Sequence, residues 1–275
     1  MIDQWLQYSE RVPKVFGNFR LIDVSEVKTP TSEIKDFLAD KLLSSYRNLE
    51  FLKTDYKHEP PAKLEAYINA YVFPADVGLA NTIVKPGDFG EVLASIIVSY
   101  FEGLEVPIHK MRWKFNKDRS VFCTDMIAHN PEETITDIHY YEIKTRQNIQ
   151  KETVNHSRNH VTVNAHNSLL KDQTSGNEGI ADFLSRYYHE IGDPDNAKKY
   201  SDIVRNPARY TRHFELFFII EASEYLPVIL NDLENLPPSL NPLNVTVVLL
   251  NDFRVRVDES YQRAMAMAHK YVYNT

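Results

Sequence analysis

The order of apolar and polar positions divides the chain into a helical first third and a mixed remainder. Residues 1–28 read as irregular, with one short apolar piece at Phe19–Val24. Thr29-Pro30-Thr31-Ser32 has the form of a helix start, with proline in the first turn. Ile34, Phe37, Leu38 and Leu42 then recur on one helical face. His58-Glu59-Pro60-Pro61 breaks this pattern, and a second helix is predicted over Ala62–Tyr71. Pro86-Gly87-Asp88 opens a third, whose stripe is Phe89, Val92, Leu93, Ile96, Ile97 and Tyr100, with Gly103 as its stop.

Beyond Pro107 the period changes from helical to alternating. Ser120–Ala128 and Ile135–Arg146 are rich in β-branched and aromatic residues and are separated by a turn at Asn130-Pro131-Glu132-Glu133. Strands joined this closely pair antiparallel. Met111–Phe115 is expected to add a shorter strand. Residues 147–210 read as mainly helical, with breaks at Gly176, Gly179 and Gly192-Asp193-Pro194. Phe214–Glu221 and Val245–Leu250 are strand-length apolar runs, and Leu216–Ile220 is apolar without interruption, as in a strand covered on both faces. A polar, proline-rich connection, Asn231–Pro242, lies between them, and Tyr261–Val272 closes as a helix. The class is therefore α/β, a mixed sheet flanked by helices. Two organisations are open: a mainly helical N-terminal region over 1–85 followed by a core over 86–275 with a helical insertion and C-terminal strands and helix, or a single domain.

Composition narrows the function. With 38 acidic against 31 basic residues, the 275-residue chain carries a formal charge of −7. Tight nucleic-acid binders usually carry a basic surplus, because phosphate contacts supply much of the affinity. Either the chain does not bind nucleic acid, which the charge alone favours, or it binds through a local patch, or a partner brings the substrate. Only 8 glycines are present, and no glycine-rich phosphate loop occurs. The single cysteine, Cys123, rules out an intrachain disulfide and a cysteine-built zinc site. It fits a reducing compartment, and with no basic-then-apolar start at Met1–Tyr8 the expected location is the cytoplasm. No apolar run is long enough to span a bilayer, so no membrane association is expected.

The candidate chemistry lies in Tyr140-Tyr141-Glu142-Ile143-Lys144. Residues two apart in a strand share a face, so Glu142 and Lys144 project together while Tyr141 and Ile143 point into core. An acid and an amine on one face of a core strand are costly unless paired or functional. Asp125, in Thr124-Asp125-Met126-Ile127, places a further acid on the preceding strand. Pairing of the two strands would bring Asp125 and Glu142 together as a hard oxygen site for Mg²⁺ or Mn²⁺. Glu91 sits at the edge of the apolar stripe of the preceding helix, within reach of the same sheet edge. Arg146, one step beyond Lys144, and Arg112 and Lys114, ahead of the Asp strand, are candidate phosphate contacts.

This order of helix glutamate, strand aspartate and E-x-K resembles the PD-(D/E)xK nuclease superfamily, matching at Glu91, Asp125, Glu142 and Lys144. Thr124 stands where that family carries proline before the aspartate. Gly87-Asp88-Phe89-Gly90-Glu91-Val92-Leu93-Ala94, Thr124-Asp125-Met126-Ile127-Ala128 and Glu142-Ile143-Lys144-Thr145-Arg146 are together similar to the nuclease subunit of the Hachiman bacterial anti-phage system. The close match covers residues 86–146. The resemblance implies a restriction-endonuclease-like core and a Mg²⁺-dependent deoxyribonuclease. It assigns Glu91, Asp125 and Glu142 to the metal and Lys144 to the attacking water and the transition state. It also implies a superfamily 2 helicase subunit that engages DNA, which would account for an acidic nuclease.

Each feature alone has an ordinary explanation. E-x-K is a common surface ion pair, Asp88-x-x-Glu91 is a capping-box pattern, and Asp125 could satisfy a strand end. His156, His160 and His166 lack the spacing of a zinc site, and His109, His129 and His139 suit packing. Tyr187-Tyr188 suits core or interface. The four features in order favour an enzyme. The alternatives are a catalytically inactive nuclease-fold subunit bound to the helicase, and a nuclease acting alone.

Overall fold

The computed structural model describes residues 1–11, 19–119, 124–148, 160–174, 178–234 and 236–273. Cys123, His156 and Gly176 lie outside them, as does the start of the strand expected over Ser120–Ala128.

Six strands form one sheet: β1 Leu6–Glu10, β2 Arg20–Glu26, β3 Met126–His129, β4 Asp137–Arg146, β5 Thr211–Glu221 and β6 Leu243–Leu250, in the order β1-β2-β6-β5-β4-β3. The inner four run parallel, and the two edge strands, β1 and β3, are antiparallel to their neighbours. The α/β mixed sheet expected from the sequence is thus the one that forms. Parallel strands need both faces covered, and both are. Ile22, Val24, Tyr141, Ile143, Phe217, Ile219, Val248 and Leu250 pack one way. Leu21, Tyr140, Leu216, Phe218, Ile220, Val245 and Val247 pack the other way.

The first face carries α1 Ser32–Tyr46, α4 Lys85–Ile97 and the C-terminal helix, α8 Phe253–Tyr273; α2 Leu49–Tyr56 and α3 Pro61–Tyr67 pack beside them. The second face carries α5 Val161–Thr174, α6 Gly179–Glu190 and α7 Pro194–Arg205. Ile34, Leu38 and Leu42 of α1 are buried as the periodicity requires, and Thr31 caps the helix by accepting from the Ile34 N–H. Gly103, at φ 68°, ends the third predicted helix. No helix among the described residues is long and apolar enough to cross a membrane.

Three expectations change. The stretch read as irregular, 1–28, supplies β1 and β2, and β2 pairs along its length with β6. A continuous helical run, Ala80–Glu102, crosses 85/86, and the residues on either side share one sheet. That run begins before Pro86, as a wide turn over Ala80–Val84. Proline cannot donate to the carbonyl four residues back, and its ring crowds it, so the backbone ahead of Pro86 widens instead of starting there. Finally, Met111–Phe115 is not a strand: Lys110–Trp113 is a tight helical turn packed beside α1.

Candidate active site at the sheet edge

The site lies where β3 starts. The Asp125 N–H donates to the Tyr141 carbonyl at 3.0 Å, extending the β3–β4 ladder by one rung. At the next rung the aspartate side chain takes over, and Oδ2 accepts the Ile143 N–H at 2.8 Å. The carboxylate is therefore fixed in the plane of the sheet, at its edge, by strand register.

Glu142 and Lys144 lie on the face covered by α5, as alternation predicts. Glu142 is 3% exposed. Its Oε1 is 2.5 Å from Lys144 Nζ, and the Ser168 hydroxyl of α5 also donates to it. Lys144 Nζ is 3.9 Å from Asp125 Oδ2, so its principal partner is Glu142. Burial, and then the charge of Asp125, push the Glu142 carboxyl up to about 6 against the opposing pull of Lys144.

Glu91 approaches from the other face. Helix α4 crosses β4 at Gly90, where a methyl group would run into Thr145 Cγ2 and lie 3.3 Å from Ile219 Cδ1. Only glycine allows so close a crossing, and it sets the next residue, Glu91, near the sheet edge. Burial pushes the half-buried Glu91 carboxyl up to about 8; Lys110 opposes this, while Asp125 and Asp88 add to it.

Lys110 is the member that the sequence reading did not single out. It is buried, and its Nζ lies 3.3 Å from Asp125 Oδ1. Asp125 thus has one lysine on each oxygen, Lys144 from the α5 side and Lys110 from the α1–α4 side. In a strand over Met111–Phe115, alternation would pair Arg112 with Lys114 and leave Lys110 outside. The tight turn directs Lys110 inward instead.

The other predicted residues are placed differently. Lys114 is not a surface contact for phosphate. Its side chain is 5% exposed, and its ammonium is 2.6 and 2.5 Å from the two oxygens of Asp88. Asp88 in turn is not a helix cap, because the chain before it is already helical. Its carboxylate also accepts from the Tyr46 hydroxyl, which is 2.8 Å from that of Tyr261. Arg112 is exposed and donates to the Ser44 carbonyl, and the half-buried Arg146 donates to the Thr145 carbonyl at 2.9 Å. His160 and His166 are buried in packing, His129 bonds Tyr200 and His139 bonds Glu215.

In donor chemistry the cluster fits a hard divalent cation: Asp125 and Glu142 repel one another at close quarters, and Mg²⁺ needs only one or two protein carboxylates, with water and substrate oxygens completing its shell. Among the described residues, no group of three or more His, Cys, Asp or Glu side chains is arranged to hold a metal ion. Here ammonium groups sit beside the acids. The fit therefore rests on the Asp125–Glu142 pair, with Glu91 as a neighbour.

No curated protein matches the chain. The sequence model of the HamA family matches residues 2–263, thus taking in the sheet, the helices on both its faces up to the first half of α8, and every residue of the cluster. By that match the chain belongs to the HamA family, a component of the multi-protein Hachiman anti-phage defence system.

Proposed function

We propose that this chain is the nuclease of its defence system, a Mg²⁺-dependent deoxyribonuclease that hydrolyses phosphodiesters with Asp125, Glu142 and Lys144 at its centre. One observation carries the reading: a buried acid and a lysine two apart on β4 meet the aspartate that leads into β3. An ordinary surface E-x-K pair would be solvated, whereas Glu142 is 3% exposed.

A divalent ion held by Asp125 and Glu142, with Glu91 near, would neutralise the phosphate and lower the pKa of the attacking water; Mn²⁺ would serve equally. Asp125 keeps its orientation through the Ile143 N–H. Lys144 places positive charge where the pentavalent phosphorus gathers negative charge. Ser168 holds Glu142 in position from the facing helix. Arg146 and Arg112 remain candidates for phosphate contacts from the exposed side. A superfamily 2 helicase subunit is proposed as the partner that brings DNA to an acidic nuclease.

The test uses plasmid DNA with Mg²⁺ or EDTA, with and without the helicase and ATP, for the wild-type chain and for Glu142→Gln and Lys144→Met. Metal-dependent cleavage lost in both variants is the expected result. No cleavage under any condition by a folded chain that still binds the helicase would favour the inactive-subunit reading. Robust cleavage without the helicase would favour a nuclease acting alone.

A further inference from the structure

Lys110 is an unusual residue at this place. It is 7% exposed, comes from a turn outside the sheet and ends on Asp125 Oδ1, the oxygen that Lys144 does not approach. It is also the strongest influence opposing protonation of Glu91. A buried ammonium among three carboxylates acts as their counter-charge. Lys144 differs in three respects: it lies on a strand of the sheet, its side chain is 27% exposed, and its closest partner is Glu142. On the α4 side Lys110 reaches Asp125 and acts on Glu91, while Lys114 is held by Asp88.

We infer that Lys110 is a built-in counter-cation, which keeps the acid cluster neutralised before a divalent ion binds and is displaced when one does. The inference rests on the metal site of the proposed nuclease. A divalent ion beside Asp125 and a fixed ammonium 3.3 Å from the same carboxylate repel each other. Binding therefore has to move Lys110 outward, and the Lys110–Trp113 turn can shift without breaking any sheet hydrogen bond. Metal affinity is set lower than the carboxylates alone would give. The acids remain folded and paired when no ion is present.

The experiment measures Mn²⁺ binding to the purified full chain without DNA, by titration calorimetry, for the wild type, Lys110→Met and Lys110→Arg. The methionine variant is expected to bind Mn²⁺ about tenfold tighter or more, since one nearby positive charge has been removed. The arginine variant, which keeps the charge, should stay close to wild type. In EDTA the methionine variant should melt below wild type, and Mn²⁺ should raise its Tm by more. Unchanged or weaker binding by the methionine variant, with wild type binding normally, overturns the inference and leaves the metal site standing. Absence of Mn²⁺ binding in all three overturns both. A second measurement needs no variant: amine labelling of the wild-type chain read by mass spectrometry. Lys110 should be protected in EDTA and become several-fold more reactive with saturating Mn²⁺; protection that persists with bound Mn²⁺ overturns the inference.

Discussion

Replacing Lys114 by methionine should be among the most damaging single changes in the protein, although the sequence places this lysine in a basic, surface-like stretch. Its ammonium and the Asp88 carboxylate are 5% and 4% exposed. Methionine keeps most of the stem and its packing, so the change isolates the charge. Breaking a buried pair by removing one partner costs about 3–5 kcal/mol, because the remaining charge has no solvent to return to. The Tyr46 hydroxyl still donates to Asp88 and keeps the loss toward the lower end. The sign of the pH dependence follows. Burial already raises the Asp88 carboxyl above its usual range, and losing Lys114 raises it further. A group whose folded pKa is raised retains its proton longer in the native state, so the variant should regain stability relative to wild type as the pH falls. Urea denaturation followed by circular dichroism at pH 7 and pH 5 measures both effects. Adding Asp88→Asn to Lys114→Met should restore much of the loss and give a clear coupling energy. A Lys114→Met protein within about 1 kcal/mol of wild type, or additive single changes, would refute this account.

Three further outcomes are expected. Without metal, Glu142 should cost stability as the pH rises from its ordinary 4.5 through about 6, because the native state holds the proton over that window. The loss, of about 2 kcal/mol, should appear as a gap that opens between wild type and Glu142→Gln in urea melts across pH; parallel curves would rule it out. Gly90→Ala should cost up to about 2 kcal/mol, crowding at Thr145 and Ile219 outweighing the gain in helix propensity, and a small shift of α4 that misplaces Glu91 should reduce cleavage by about 10²-fold. Gly87→Ala in the same helix meets nothing within 4 Å and should instead stabilise by up to about 1 kcal/mol, so equal behaviour of the two variants in thermal melts would exclude the close-crossing argument.

What could be read from the sequence was what local periodicity encodes. Leu216–Ile220 is apolar at every position because β5 has a parallel neighbour on each side and a helical layer on each face. The shared face of Glu142 and Lys144 follows from alternation alone. β2 escaped notice because Asp23 and Ser25 interrupt it, and its place as a core strand comes from β6, at the far end of the chain. No local window contains that pairing. The role expected of Lys114 failed for a related reason: whether a lysine meets water or a buried carboxylate depends on how a turn is aimed, and Lys110–Trp113 turns where an extended strand was expected. Lys110 was missed by the same error. Asp88 shows the opposite limit, since a residue type suited to capping was turned inward by helix already formed ahead of it.

The pairing of β2 with β6 also bears on how the molecule folds. Residues 20–26 meet residues 243–250, so this contact closes a loop that spans most of the chain. By contrast β3 and β4 meet across a short turn, and Asp125, Glu142 and Lys144 all belong to that local pair. Loop closure costs more entropy for the distant pair, and contacts of long sequence separation slow folding. The strand-borne part of the acid cluster can therefore take shape early, while the β1–β2 edge joins the sheet late. Pulsed hydrogen exchange during refolding should protect the amide of Ile143 before those of Leu21 to Val24. The order in which the sheet is assembled would then separate the chemistry-bearing edge from the edge that completes the fold.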